Sequence, residues 1–322
     1  MDETTWVFNV KSISLIASII VVIASLAGLV GIAIIALIMT LPDVQQLQKC
    51  FTTSMFQVHL CPGSESYVKL SDISPYVLHA VIASEDGAFY SHEGFDWHEM
   101  EESMNQNLRT GHIRRGGSTL TQQLAKNAFL DQEKSFWRKL KEAYLAHAIE
   151  RHFTKDFILE KYLNVVEFGK NLYGVKAAAN KYFHKSPSEL NPLEAAYLAF
   201  LLPNPKVYSK SIQSGQLTPF TRKMLAIILR RMASYGKISA EAYKLSMQQL
   251  PNFPWTGLDL AAFHGTPSSY SLDATPPTAG FSANPSDDEN ALDEIVNEDS
   301  GTASATDSKD NSAKEDTEEN TL

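Results

Sequence analysis

Val81-Ile82-Ala83-Ser84-Glu85-Asp86-Gly87-Ala88-Phe89-Tyr90-Ser91-His92-Glu93-Gly94 closes an apolar helical pattern with two adjacent carboxylates. Upstream, Ser74 before Pro75 is a cap and first-turn pair, and Val77, Leu78, Val81 and Ile82 recur at helical spacing. The residues therefore predict a helix with one buried face. Glu85 follows Val81 and Ile82 by one helical turn, at the end of that stripe, where partial desolvation raises a carboxyl toward the range of a general base. This run alone leaves two readings open, because an acidic pair at a helix end is also an ordinary solvated terminus.

Around this helix the 322 residues are unevenly apolar. Residues 13–39 run for 27 positions without a charge, enough to cross a hydrocarbon core of roughly 30 Å. A cleaved signal peptide has a shorter apolar core and a small-residue cleavage site, so the run reads as a retained signal anchor after a short segment, 1–12. Lys11 before it and Lys49 after it give the positive-inside rule little to work on. Cys50 and Cys61 follow the span; a disulfide between them suits an oxidising extracytoplasmic space, and two free thiols are the alternative. The net charge of −9 belongs to the end of the chain: residues 287–322 hold 13 acidic side chains against Lys309 and Lys314, which leaves residues 1–286 at +2. A mildly basic body beside a membrane suits an anionic, lipid-linked ligand. From 256 to 322 the composition is acidic, rich in Ser, Thr, Pro and Asn and without periodicity, which is the signature of disorder.

Between 45 and 254 the pattern is predominantly helical, with no convincing run of alternating strands and no internal repeat. Thr119 and Gln122 have capping-box spacing; Thr154, Asn191-Pro192 with Glu194, Thr218-Pro219 and Ser239 each open a helix, and Gly236 closes one. Two further constellations carry chemistry. Gly116-Gly117-Ser118-Thr119-Leu120-Thr121-Gln122-Gln123-Leu124-Ala125-Lys126-Asn127 leads a glycine pair into a helix crowded with hydroxyls and amides, suited to a phosphate or sugar, or else simply a capped helix with a polar face. Arg138 and Lys139 stand one turn before Glu142, an arrangement that clamps a pyrophosphate and its metal or forms surface salt bridges.

In order along the chain, these runs resemble the peptidoglycan glycosyltransferases of glycosyltransferase family 51. Over residues 71–202 the motifs are Glu85-Asp86, Phe89, His92 and Gly94; then Gly117-Ser118-Thr119, Thr121-Gln122-Gln123 and Lys126-Asn127; then Arg138-Lys139 with Glu142. The fourth is Lys155, Ile158-Leu159, Tyr162-Leu163-Asn164 and Gly169. The resemblance implies a mostly α, lysozyme-like glycosyltransferase domain behind a single transmembrane helix, with a membrane-dipping jaw. It implies a single-pass protein of the bacterial cytoplasmic membrane, N-terminus in the cytoplasm and catalytic domain on the outer, periplasmic side. Its substrates are then lipid II and the nascent glycan strand, polymerised with inversion at the MurNAc anomeric carbon and release of undecaprenyl pyrophosphate.

By motif position Glu85 is the expected base and Glu142 the second catalytic carboxylate, near the departing pyrophosphate and holding a divalent cation, Mg or Mn; no organic cofactor is expected. Lys126, Arg138 and Lys139 are expected to neutralise the leaving group, with Lys134 and Lys141 as outer members. Ser118, Thr119, Gln122 and Gln123 are expected to bind donor sugar or phosphate, while Asp86, Phe89, His92 and Asn164 support the fold around Glu85. Membrane lipid, transpeptidases and division or elongation proteins are the implied partners, with no nucleic acid. The family's fifth motif is stretched here, leaving Arg222, Arg230 and Arg231 as candidates for one place. Ser66 with Lys69 and Ser234 with Lys237 match Ser-x-x-Lys, but no Lys-Thr-Gly follows, so the expectation is a monofunctional enzyme. A lytic enzyme on the same polymer and an inactive membrane scaffold are the alternatives; the first does not need a pyrophosphate site, and the second fits poorly with both Glu85 and Glu142 in place.

Overall fold

The computed structural model describes the backbone of residues 3–110, 117–133, 135–253 and 255, and side chains from residue 15 on except 106, 110 and 213. The acidic tail, 256–322, and Lys134 lie outside the described residues. The chain is mostly helical. It divides at residues 209 and 210 into two compact units, where the sequence pattern reads as one domain from 45 to 254.

The first unit opens with α1 (Glu3–Met39). Leu26 and Leu29 are 61% and 65% exposed, as are most of its aliphatic side chains from Leu15 on. Among the described residues only this helix is long and apolar enough to cross a membrane. An apolar helix with no protein around it is at home in lipid, so α1 is compatible with a single-pass anchor. A short 3-10 turn at Val44–Gln48, capped by Asp43, buries Val44 and Leu47.

Two helices make the centre of this unit. α2 (Pro75–Glu85) buries Tyr76, Val77, Leu78, Ala80, Val81 and Ala83, and it packs on a later helix, Pro192–Leu201, whose ten residues are all buried. Each fully buried Leu or Val contributes about 1.5–3 kcal/mol, so two helices apolar all round anchor the unit. Ser74 does not cap α2 with its side chain. Its hydroxyl instead donates to the Leu190 carbonyl at 2.7 Å, and its N–H to Pro187 at 3.0 Å, which ties the two central helices together at their starts.

Next come α3 (Trp97–Thr110), α4 (Leu120–Phe129), α5 (Phe136–His152) and α6 (Lys155–Val165), with α4 packed against both α5 and α6. Apart from Ser74, the caps predicted locally are present, and Ser135 adds one that the sequence reading did not name. Thr119 and Gln122 form a reciprocal capping box on α4, Ser135 caps α5 and Thr154 caps α6, each contributing about 1 kcal/mol. α7 (Val175–Phe183), the central helix as α8 (Pro192–Leu201, with its own Asn191–Glu194 capping box) and the short α9 (Pro205–Tyr208) complete the unit.

The structure adds two hairpins that the sequence reading lacked: β1 (Phe51–Thr52) with β2 (His59–Leu60), and β3 (Glu167–Gly169) with β4 (Leu172–Tyr173). Strands of two or three residues are too short to show an alternation of period two. Cys50 and Cys61 flank the first hairpin and are joined by a disulfide, which decides between the two readings of that pair.

The second unit contains α10 (Lys210–Gln213), α11 (Pro219–Ser234) and α12 (Ala240–Gln249), with α11 packed on α12 and capped by Thr218, and α12 capped by Ser239. Arg222 turns back to donate from Nε and Nη2 to the Leu217 carbonyl, at 3.3 and 3.0 Å.

Candidate active site

Glu85 is the last residue of α2, and two other helices reach it through one side chain. Gln123 of α4 donates from Nε2 to Glu85 Oε2 at 3.0 Å, and its Oε1 accepts from the Tyr162 hydroxyl of α6 at 3.0 Å. The direction of this relay is forced. A carboxylate only accepts, so the Gln123 amide nitrogen faces Glu85, its oxygen faces Tyr162, and Tyr162 must donate. Burial, with Glu85 and Asp86 adding to it, pushes the Tyr162 phenol well up, which keeps its proton in place. Burial likewise pushes the Glu85 carboxyl up; the Gln123 bond and Lys126 pull it down and Asp86 pushes it further up. Desolvation wins, which is the condition for a base that works near neutral pH.

Asp86 is spent on architecture. Its Oδ2 accepts the Leu120 N–H at the start of α4 at 2.8 Å and its Oδ1 accepts from His92 Nε2 at 2.9 Å. His92 Nδ1 accepts the Gly94 N–H at 3.1 Å, so the ring proton sits on Nε2. Phe89 is fully buried, edge-on to His92, with Lys155 Nζ over its ring at 4.6 Å. Asn164 acts further off, clasping both backbone groups of Val68 at 2.9 and 2.8 Å and so tying the segment before α2 to α6.

The cationic side stands on α5. Glu142, 3% exposed, accepts from Arg138 Nη1 at 2.8 Å and from Lys139, which also donates to Ser118 Oγ at 3.0 Å. These are partly buried, charge-assisted bonds, not the solvated salt bridges of an exposed helix face. Lys126 projects from α4 with no hydrogen-bond partner among the described residues. Burial pushes its amine down, and the charges that act on it include both Glu142 and Glu85, which raise it, and Arg138 and Lys139, which lower it. Its charge couples to both carboxylates.

Some predicted ligands are otherwise engaged. Thr119 Oγ1 donates to the Gly94 carbonyl at 2.8 Å and accepts the Gln122 N–H at 3.2 Å, while Gln122 Oε1 accepts the Thr119 N–H at 3.0 Å. Both side chains are buried, and the Thr119 hydroxyl and the Gln122 amide oxygen are engaged in the capping box. Lys141 lies part-buried on α5 with no ion pair among the described residues. The donor set does not fit a protein-bound metal either. Both oxygens of Glu142 are taken by cations, and no group of three or more His, Cys, Asp or Glu side chains converges among the described residues. A cleft of about 630 Å³ opens beyond His92, lined by residues that include Phe95, Trp97 and His147, but it contains neither Glu85 nor Glu142.

Tyr162 is a site residue that the sequence reading placed only in an apolar stripe and a motif. Its spacing marks a buried face; nothing local shows that its hydroxyl reaches a glutamine 39 positions away.

The helices that carry this site lie within a span shared with known proteins. A family model described as Transglycosylase matches residues 54–233. A biosynthetic peptidoglycan transglycosylase of Nitrosospira multiformis is 42% identical over 168 residues, which cover 52% of this chain and 71% of that protein. The proteins of the same description from Aromatoleum aromaticum and Chromobacterium violaceum are 41% and 45% identical, over 50% and 52% of this chain and 79% and 72% of theirs. The matched span contains α2, α4, α5 and α6 whole, the four helices that carry Glu85, Gln123, Lys126, Glu142 and Tyr162. On that match, this chain belongs to the transglycosylase family.

Proposed function

We propose that the protein is a peptidoglycan glycosyltransferase that polymerises lipid II into glycan strands for the cell wall. The observation that carries this reading is Lys126, unpaired between two part-buried carboxylates in opposite surroundings. In the reaction the 4-hydroxyl of one lipid II attacks the anomeric carbon of the lipid-linked MurNAc at the end of the growing strand. The new C–O bond forms as the bond to pyrophosphate breaks, the electron pair leaves with undecaprenyl pyrophosphate, and the configuration inverts. Glu85 takes the hydroxyl proton. Negative charge grows on the leaving pyrophosphate, and Lys126, Arg138 and Lys139, with Ser118 beside them, stabilise it. Glu142 keeps Arg138 and Lys139 aimed. No step is routed through a metal.

A lytic reaction has no pyrophosphate to stabilise, so this cluster of cations favours synthesis. We place the N-terminal residues in the cytoplasm and the catalytic unit at the outer membrane face. The Cys50–Cys61 disulfide supports this, because such bonds persist in oxidising compartments. Phe136, Trp137, Leu140 and Tyr144, exposed beside Arg138, Lys139 and Lys141 on α5, and the exposed Trp97, Met104 and Leu108 on α3 are apolar surface suited to lipid. The test is to supply the purified protein with lipid II. Polymer and free undecaprenyl pyrophosphate are expected from the wild type and neither from Glu85→Gln; cleavage of finished glycan instead would sink the proposal.

A further inference from the structure

Glu150, near the end of α5, belongs to none of the motifs above, yet its side chain is only 7% exposed and is paired with Lys155. Its Oε1 accepts from the Thr121 hydroxyl at 2.5 Å and from Lys155 Nζ at 2.7 Å. Thr121 lies in the first turn of α4, two residues before Gln123. Lys155 opens α6 and covers the Phe89 ring. On its other side Glu150 lies flat against the loop after α2: a Cβ at Gly94, where φ is +92°, would stand 3.1 Å from Glu150 Cγ. One side chain thus packs its Cγ close to Gly94 in the loop holding His92 and bonds through its carboxylate to the helix holding Gln123 and the first residue of the helix holding Tyr162.

The start of α4 is gripped from two directions. Asp86 takes the Leu120 N–H from the α2 side, and Glu150 takes the Thr121 hydroxyl from the α5 side. Both negative charges sit at the positive end of the helix dipole, where they are favourable. Gln123 has a single amide to place between Glu85 and Tyr162, so a rotation of α4 by a fraction of a turn opens one of its two bonds. We infer that Glu150 is a positioning residue for glycosyl transfer, fixing the first turn of α4 through Thr121 so that Gln123 donates to Glu85. This rests on the role given to Glu85 above.

The test separates positioning from mere stability. Glu85 is faced by Asp86, the next residue along the chain, by Lys126 and Gln123 from α4 and by Tyr162 from α6; the two α4 groups are the ones that depend on how α4 is turned, and both lower the Glu85 pKa. Because the Gln123 bond lowers the Glu85 pKa, losing it moves the acid limb of the kcat profile to higher pH. Thr121→Val removes the hydroxyl at nearly constant shape and is the milder variant should Glu150→Gln fail to fold. Each is expected to lower kcat about tenfold, the effect of one weakened hydrogen bond to a charged group, with KM for lipid II within about twofold of wild type. Thr121→Ser, which keeps the donor, should restore both kcat and the limb. The Glu85 carboxyl followed by infrared titration gives the same shift without any turnover, so it remains readable if the wild type makes no polymer. That outcome would overturn the function and leave the positioning claim to stand or fall by the titration. A lowered melting temperature with an unmoved Glu85 titration would make Glu150 a structural residue only.

Discussion

Glu85 and Glu142 are the same side chain in opposite company. Glu85 accepts from a neutral amide and stands next to another carboxylate, so burial dominates and its pKa rises. Glu142 is also buried but has a guanidinium and an ammonium on its two oxygens. Glu85, with a neutral donor and a carboxylate neighbour, is left free to act as a base, whereas Glu142 is engaged by two cations and holds them in place.

The hardest way to break this comparison is to neutralise the first carboxylate. Glu85→Gln should lower polymerisation about 10³–10⁴-fold, toward the upper end for loss of a general base, while binding of lipid II persists; rates within tenfold of wild type would refute the assignment. Lys126→Met keeps the apolar stem and removes the charge that both carboxylates feel. Polymerisation should then fall about 10²–10³-fold, as for loss of one preorganised charge at a reacting centre, read as product formed per minute on labelled lipid II.

The contrast is sharpened by pH. Glu85 acts deprotonated and its pKa is raised, so activity is lost as pH falls through that raised value. Lys126 acts protonated and its pKa is lowered, so activity is lost as pH rises through that lowered value. The bell should be narrower at both sides than free Glu and Lys would make it, and Lys126→Met should erase the alkaline limb and leave the acid one. The smallest effect is expected from reducing Cys50–Cys61. The hairpin it closes leans on the far end of α4, where Ser54 N–H donates to Ala128 at 2.9 Å and Phe51 stacks on Phe129 at 5.7 Å. That is the Lys126 end, so reduction should shift the alkaline limb before the acid one, and lower stability by about 3 kcal/mol for a loop of this length, measured by thermal melts.

What was legible in the sequence is what short stretches decide. The caps at Thr119, Thr154, Asn191, Thr218 and Ser239 appear where their spacing puts them, because a cap and its helix lie within four residues. Glu85 was legible as the end of a buried stripe. The amide between Glu85 and Tyr162 and the hydroxyl between α4 and Glu150 were not, since their partners lie 38, 39 and 29 positions apart. Polar residues in the second motif looked alike in sequence, but Thr119 and Gln122 cap a helix whereas Gln123, one place on, faces the base. α3 escaped notice because three of its four apolar residues, Trp97, Met104 and Leu108, are exposed and only Met100 turns inward, which leaves no core stripe to read. Ser74 had the sequence of a cap and was used as a strut to Leu190.

Only residues 40–43 separate the end of α1 from Val44, the first side chain anchored in the folded unit. Fully stretched, four residues reach about 14 Å. With α1 in a bilayer, that leash sets a ceiling: the catalytic unit skims the surface and meets its lipid-linked substrates by two-dimensional diffusion. The length of the leash then matters as much as any contact in the cleft, because it decides which height above the lipid the reacting sugars must have.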